Sequence, residues 1–214
     1  MDKLQITGSC EKFVKDYLAG VESGHNWYHI SRVLINARKI YDREKRGDPF
    51  VIDIASLLHD IGDTKIDPAA DGPGMVSDFL SESGASSGII DQVVYIMNYI
   101  SFRDSFSGCE ARTAELDIVQ DADRLDAIGA IGVARAFSYG GSRGNEIYIP
   151  GEARVTATTR EEYRSSGVST IGHFYEKLLS LKDMMNTETG RIMALERHQF
   201  MESFLEQFYR EVGD

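Results

Sequence analysis

The sequence contains few cysteines and no long apolar stretch. Only two cysteines, Cys10 and Cys109, occur among the 214 residues, and they lack the short C-x-x-C spacing of a zinc knuckle or a redox pair. Charged residues interrupt the first twenty positions, so that region is not a continuous apolar signal segment. No apolar run approaches the ~20 residues that cross a bilayer. We therefore predict a protein of the reducing cytoplasm with no membrane partner.

Positive charge is also scarce. The chain carries 23 Lys and Arg against 34 Asp and Glu, a formal net charge of -11. A charge of this sign repels phosphate backbones unless a local basic patch overrides it, so we expect no nucleic-acid partner. An acidic excess is typical of solvated surfaces and also of proteins whose carboxylates hold a cation, and the charge alone leaves both open.

Apolar residues recur with helical spacing along almost the whole chain, which predicts an all-α fold. We expect a helical bundle whose core covers about residues 20–140, with a long irregular insertion at 140–168 before two C-terminal helices at 169–212. No repeat, low-complexity tract or linker divides the sequence, so residues 1–214 are predicted to form a single domain. An irregular segment as long as 140–168 is usually functional or disordered, and both a lid and a disordered loop stay open.

Start and stop signals give approximate bounds for the helices. Asp48 and Pro49 are predicted to begin a central, buried helix, and Ser169 and Thr187 are predicted to cap the last two helices. The expected helices cover about residues 11–19, 27–45, 50–61, 75–82, 89–100, 114–139, 170–185 and 188–212.

Histidine and aspartate residues occupy otherwise apolar segments. His59 and Asp60 end the most apolar predicted helix, and His29 lies on the preceding helix, one turn after His25. Polar groups in such surroundings need hydrogen bonds, an ion partner or a metal. A His-Asp pair alone is weak evidence for a metal, because a buried pair satisfied by its neighbours explains it more simply.

Three carboxylates, Asp121, Asp123 and Asp126, lie together in another apolar helical segment. Such a group requires a cation or arginine partners. Imidazole nitrogens and carboxylate oxygens together suit a six-coordinate divalent ion such as Mn²⁺, with water completing the shell. A metal site that keeps a water is typical of catalysis.

Four ordered segments resemble the HD superfamily of metal-dependent phosphohydrolases, and in particular its bacterial single-domain members. They are G-H-N-W-Y-H-I-S-R-V (24–33), A-S-L-L-H-D-I-G-D-T-K (55–65), Q-D-A-D-R-L-D-A-I-G-A-I-G (120–132) and H-F-Y-E-K-L-L (173–179). Four motifs in this order are a specific signal, which a single His-Asp pair is not. The resemblance implies an HD-type all-α domain and the hydrolysis of a phosphate ester or anhydride by a metal-activated water.

The resemblance also implies four metal ligands. These are His29, His59, Asp60 and Asp123. His29 is preferred to His25 because the first ligand histidine of the family stands four residues before a helix valine, here Val33. Asp123 is preferred because the last ligand is usually the aspartate of an Ala-Asp motif, and Asp121 stays as the alternative. Mn²⁺ is the predicted ion, while Mg²⁺, Co²⁺, Ni²⁺ and Fe²⁺ suit the same donor set.

Residues near these motifs are implied to act on the substrate. Asp63 stands where many HD phosphohydrolases have an acidic residue near the attacking water, so its implied role is general base or water positioner. Lys65 would hold phosphate oxygens as the second catalytic residue. The implied substrate-binding residues are His25, Arg32, Arg124, His173 and Lys177. Surface ion pairs and an ordinary amphipathic helix face explain the same residues, and these alternatives stay open.

The predicted activity is that of a phosphohydrolase acting on a nucleotide, either as a triphosphate pyrophosphohydrolase or as a nucleotidase. The sequence has no Gly-rich phosphate cradle, so neither the substrate nor the bond that is cut follows from it. No histidine lies between His59 and His173, which favours one metal ion over two. The alternative is a non-catalytic regulatory module that binds a metal or a nucleotide. A homodimer through exposed faces of the terminal helices is a hypothesis only.

Overall fold

A computed structural model describes residues 2–20, 26–62, 70–100, 111–155 and 169–213 of the chain. These residues form nine α-helices and one 3₁₀ helix, without a β-strand among them, which confirms the predicted all-α fold. The α-helices are α1 (Lys3–Tyr17), α2 (Trp27–Glu44), α3 (Pro49–Leu58), α4 (Gly72–Glu82), α5 (Ser87–Tyr99), α6 (Ala114–Asp126), α7 (Gly129–Arg143), α8 (Thr170–Glu176) and α9 (Glu188–Val212), and the 3₁₀ helix covers Leu178–Met184. Within these described ranges, no helix combines the length and the apolar character that a membrane span requires.

The predicted helix starts at Asp48, Ser169 and Thr187 are confirmed. The Asp48 carboxylate accepts the backbone N–H of Phe50 at 2.8 Å, and Pro49 occupies the first helical position of α3, where it forfeits no hydrogen bond. The hydroxyls of Ser169 and Thr187 each accept the N–H of the residue three positions later, both at 2.9 Å. These side chains satisfy amides that the first turn of a helix leaves without an intrahelical acceptor.

The chain divides into two compact units, Met1–Ala122 and Asp123–Asp214, and the division falls inside the continuous helix α6. In the first unit, α3 packs against α1, α2 and α5. All of its residues from Phe50 to Leu58 except Asp53 are buried, which confirms the prediction of a central helix.

Cys10 of α1 is also buried, and this burial raises the pKa of its thiol to about 12. The ammonium of Lys15 lies 4.2 Å from the ring centroid of Trp27, which joins α1 to the start of α2.

In the second unit, α9 packs against α7 and the 3₁₀ helix, and α8 packs against both of these. Aromatic rings fill this core. Phe204 lies 5.8 Å from both Phe137 and Phe174 between ring centroids, and Phe208 extends the cluster toward Tyr148. Apolar burial of this kind is the main source of stability for short helices, which are marginal in isolation.

Two predicted helices prove to be broken. The segment 114–139 forms α6 and α7, because Ile128 is extended and Gly129 has a φ of +75°, which a helix interior cannot contain. The segment 170–185 changes from α-helix to 3₁₀ helix at Lys177, whose φ and ψ are -139° and -55°. Apolar residues continue with helical spacing across both breaks. Periodicity alone therefore does not reveal them.

Other helix ends also differ from the prediction. α1 begins at Lys3, well before residue 11, because Asp2 and Gln5 form a reciprocal capping box. α4 begins at Gly72 with an Asp71 cap, where a loop was expected. α7 continues past Gly140 and ends at Arg143.

The described part of the predicted insertion is anchored to the start of α8. The backbone carbonyls of Glu146 and Ile147 accept the N–H groups of Thr170 and Ile171 at 2.9 and 3.0 Å. The Glu152 carboxylate accepts the backbone N–H and the hydroxyl of Ser169 at 2.8 and 2.5 Å. Residues 156–168, which make up much of the predicted lid, lie outside the described residues.

Candidate metal centre

His29 lies in the first turn of α2. The side chain of Asn26 caps this helix by accepting the N–H groups of Tyr28 and His29 at 3.1 and 3.3 Å. The apolar stripe of α2, which includes the fully buried Ile30 and Val33, packs toward α3. This arrangement buries the imidazole of His29, which is 1% exposed.

His59 directly follows α3, and its ring is held by a main-chain hydrogen bond. Nδ1 of His59 lies 2.9 Å from the carbonyl oxygen of Ser56, one turn earlier. Because a carbonyl oxygen can only accept, Nδ1 carries the proton and the neutral ring presents a lone pair at Nε2. This is the tautomer that a metal-binding histidine needs, with the second nitrogen fixed by a backbone acceptor.

Asp60 places its carboxylate between the two histidines. Its Oδ2 lies 3.3 Å from Nε2 of His29, and its Oδ1 lies 3.5 Å from Nε2 of His59. The two imidazole rings are 5.4 Å apart between centroids, at an interplanar angle of 66°. Both histidines therefore direct the same ring nitrogen toward one carboxylate in a buried environment.

Helix α6 brings a further carboxylate to this group. The buried side chain of Asn36 donates from Nδ2 to the carbonyl oxygen of Ala122 at 3.3 Å, which joins α2 to α6 immediately before Asp123. One ligand atom each from His29, His59 and Asp123 lie within 4.8 Å of one another. Asp121 is fully buried on the same helix, and within the described residues it does not belong to this group of ligand atoms.

The donor set suits a divalent cation. It combines imidazole nitrogens with carboxylate oxygens. Mn²⁺ and the neighbouring divalent first-row transition-metal ions accept this mixture of ligands. Of the predicted ligands, His29, His59 and Asp123 belong to this group of ligand atoms, and Asp60 contacts both histidines. The backbone is positioned by the packing of α2 on α3 and by Asn36, and Gln120 adds hydrogen bonds from its Nε2 to the carbonyls of Tyr99 and Ile100 at 3.0 and 3.2 Å.

The predicted substrate residues have more varied surroundings. Arg32 is half-buried on α2, while Arg124 is buried and donates from Nη1 to the carbonyl oxygen of Met184. In the second unit, Nδ1 of His173 lies 2.9 Å from the buried carboxylate of Glu176, and Lys177 terminates α8. The remaining predicted residues lie outside the described part of the chain. They are His25, Asp63 and Lys65.

Sequence analysis missed two arginines that contact the end of α6. Arg135 forms an ion pair with Asp126, with Nη1 to Oδ2 at 2.5 Å, and Arg197 donates from Nη1 to the carbonyl oxygen of Leu125. The only signal was the buried position of Asp126, which predicted a cation or an arginine partner without identifying it. The partner could not be identified because the Arg135 contact depends on the unpredicted break between α6 and α7.

A cavity of about 350 Å³ lies elsewhere, within the second unit. Its walls include Tyr148, Arg154, Tyr175 and Tyr209, and they include none of the predicted metal ligands. The guanidinium of Arg154 lies over the rings of Tyr209 and Tyr175, at 4.4 and 5.2 Å from their centroids. Burial and a hydrogen bond with Tyr175 raise the pKa of Tyr209 above its ordinary value. No histidine is among the residues that line this cavity.

Comparison with known proteins identifies the family of this chain. The profile of the HD domain matches residues 26–128, a range that contains the two histidines and both aspartates of the cluster. The uncharacterized protein YpgQ of Bacillus subtilis is 38% identical over 214 residues, which cover 99% of this chain and 96% of YpgQ. The crystal structure of YpgQ in complex with ADP matches with a TM-score of 0.76 at 36% identity, over 96% of this chain and 97% of that one.

Two further crystal structures match over nearly the full length. A protein from Lactobacillus plantarum has a TM-score of 0.85 at 35% identity, with 98% of both chains covered. An HD-superfamily hydrolase from Bacillus thuringiensis has a TM-score of 0.77 at 38% identity, with 99% of both chains covered. The chain therefore belongs to the HD superfamily, whose domains bind divalent metals and are commonly metal-dependent hydrolases.

Proposed function

We propose that this protein is a divalent-metal-dependent phosphohydrolase that hydrolyses a phosphate ester or anhydride of a nucleotide. The observation that carries the proposal is the convergence of His29, His59 and Asp123 within 4.8 Å, with Asp60 against both histidines. The ADP complex of the relative YpgQ supports a nucleotide as the ligand. The reaction would be either release of pyrophosphate from a triphosphate or release of orthophosphate from a monophosphate.

In this proposal, His29, His59, Asp60 and Asp123 hold the ion, with Mn²⁺ as the expected metal. A divalent ion at this place would neutralise phosphate charge and supply a more acidic water. The hydrogen bond from His59 to the Ser56 carbonyl keeps Nε2 available without a proton transfer. His29 and His59 are buried, and a buried site with little bulk water strengthens electrostatic interactions with a phosphate group.

The substrate would be held by cationic and imidazole side chains. Asp63 is proposed as the base or water positioner and Lys65 as a phosphate-neutralising residue, on the family resemblance alone. In the second unit, the buried carboxylate of Glu176 fixes the ring of His173 through Nδ1, which suits a half-exposed imidazole that binds a phosphate oxygen. The other proposed substrate residues are His25, Arg32, Arg124 and Lys177. Arg124 has the least capacity for this role, because its guanidinium is buried and already binds the Met184 carbonyl.

A non-catalytic module that binds a metal or a nucleotide is the second candidate. The ADP complex of YpgQ favours it equally, since a bound nucleoside diphosphate requires no turnover. An enzyme and a binding module differ in one measurable respect, the metal-dependent release of phosphate or pyrophosphate. The cytoplasmic location, the homodimer and the absence of nucleic-acid and membrane partners stay predictions from the sequence.

The decisive experiment is a nucleotide panel assayed with Mn²⁺ under conditions that separate orthophosphate from pyrophosphate. We expect metal-dependent turnover by the unmodified chain and its loss in Asp60→Ala, because this substitution removes a carboxylate that contacts both histidines. Asp53→Ala is the matched control, since Asp53 lies on α3 but forms a surface ion pair with Arg38 at 2.8 Å. Turnover that survives in metal-loaded Asp60→Ala would contradict the proposed mechanism. Nucleotide binding without turnover by the unmodified chain would favour the binding module.

A further inference from the structure

The third carboxylate of α6 does not take part in the metal cluster. Asp126 is the last residue of α6 and is 1% exposed. Nη1 of Arg135, on α7, lies 2.5 Å from Oδ2 of Asp126 and 3.3 Å from its backbone oxygen. One guanidinium thus binds both the side chain and the main chain at the end of the helix.

Arg197 contacts the same helix end from α9. Its Nη1 donates to the carbonyl oxygen of Leu125, the residue before Asp126. The aliphatic part of its side chain packs against Gly129, where an added Cβ would lie 3.0 Å from Cβ and Cγ of Arg197. Burial lowers the pKa of the Arg197 guanidinium, and the negative charge of Asp126 opposes this effect. Asp126 therefore faces two cationic side chains, from α7 and from α9.

These contacts add hydrogen bonds to the carbonyls at the end of α6. The last carbonyls of an α-helix have no intrahelical partner and carry partial negative charge, which favours cations there. The carbonyls of Leu125 and Asp126 accept arginine donors, and that of Leu125 also accepts the N–H of Ile128 at 3.4 Å. Asp123 lies two residues before Leu125, within the same helical turn, so rotation or fraying of this turn would move its carboxylate.

We infer that Arg135 and Arg197, acting with Asp126, are positioning residues that hold Asp123 in the orientation required for metal binding. Neither arginine is proposed to touch the metal or the substrate. They act through the backbone of the last turn of α6. This inference rests on the proposed metal site, and it extends that site to side chains on α7 and α9 that sequence motifs do not identify.

The test is Mn²⁺ binding by the full-length, metal-stripped protein, measured by calorimetry and by the electron paramagnetic resonance signal of free Mn²⁺. Loss of an outer partner of a metal ligand typically weakens metal affinity by about 10–100-fold, and we expect a change of that size in Arg197→Met. Arg197→Lys keeps the positive charge and should recover part of the affinity. Arg191→Met is the matched control on α9, because Arg191 donates to the carbonyl of Asn186 at 3.1 Å and that bond does not involve α6.

Each outcome has one meaning. An unchanged Mn²⁺ dissociation constant in folded Arg197→Met would overturn the inference, as would an equal loss in Arg191→Met, which would indicate general destabilisation of α9. If Arg197→Met does not fold, Arg135→Met carries the test with the same criterion. If the unmodified protein does not bind Mn²⁺, the proposed metal site is wrong. That result differs from the one that contradicts the positioning role, in which the unmodified protein binds Mn²⁺ and the variant binds it equally well.

Discussion

A single main-chain hydrogen bond determines what His59 can do. A histidine at the end of an apolar helix could serve as a donor, an acceptor or a ligand, and sequence does not distinguish these roles. The Ser56 carbonyl at 2.9 Å from Nδ1 leaves only Nε2 as an electron-pair donor in the neutral ring. The same nitrogen faces Asp60, so the tautomer and the placement of the carboxylate agree with metal binding.

Substitution of Asp123 and Asp121 should identify the remaining ligand. The two residues are two positions apart on α6 and therefore point in directions that differ by about 200°. We expect Asp123→Asn to weaken Mn²⁺ binding by at least about tenfold, while Asp121→Asn changes it less, because only the Asp123 side chain belongs to the group of ligand atoms. The measurement is the Mn²⁺ dissociation constant of each metal-stripped variant. The reverse order would assign Asp121 as the ligand.

Among the elements, the junction between α6 and α7 has the most specific backbone requirement. Gly129 has a φ of +75° and lies against the side chain of Arg197, whereas Gly144, at the end of α7, has a φ of +72° with no other atom within 4 Å of an added Cβ. The positive φ alone costs an L-residue roughly 1–2 kcal/mol. Position 129 adds a steric conflict to that cost.

We therefore expect Gly129→Ala to lower the free energy of unfolding more than Gly144→Ala does. Urea denaturation followed by circular dichroism measures both values. The Gly144 variant should lose only the backbone contribution of roughly 1–2 kcal/mol, and the Gly129 variant should exceed it because Arg197 must shift. Equal losses would show that the Arg197 side chain moves aside without cost.

The sequence predicted most elements through their caps and their apolar spacing. Asp48, Ser169 and Thr187 could be identified because a capping side chain acts on amides two or three residues away. The break at Gly129 could not, because apolar residues continue with helical spacing on both sides and the φ of a glycine is not visible in its identity. The pairing of Asp126 with Arg135 was hidden for the same reason, since it requires the chain to turn between the two helices.

The candidate metal ligands have a stronger signal in the sequence than the contacts that orient them. His29, His59, Asp60 and Asp123 come from three of the four short motifs. Ligand atoms of His29, His59 and Asp123 lie within 4.8 Å of one another, and Asp60 contacts both histidines. The hydrogen bonds that orient them involve main-chain carbonyls, at Ser56 and Ala122, and these leave no side-chain signature. Motifs identify chemical groups, whereas the orientation of those groups depends on contacts that are distant in sequence.

At the scale of the whole molecule, metal binding should appear as added stability. A ligand that binds only the folded state stabilises it by about 2.7 kcal/mol at a hundredfold excess over its dissociation constant. For a chain of this length, that corresponds to a rise in Tm of roughly 5–11 °C. We expect Mn²⁺ to produce such a rise in differential scanning calorimetry and chelation with EDTA to reverse it. Asp60→Ala should show no rise, and a rise in that variant would place the bound ion elsewhere.

The contact between Lys15 and Trp27 has an optical consequence. Trp27 is the only tryptophan in the chain, and it stands two residues before His29 at the start of α2. The indole emission of the protein therefore comes from one place, where an ammonium 4.2 Å from the ring makes the emission sensitive to the local field. The molecule thus carries a fluorescent reporter beside its candidate metal ligands, and changes there can be followed in real time without an attached dye.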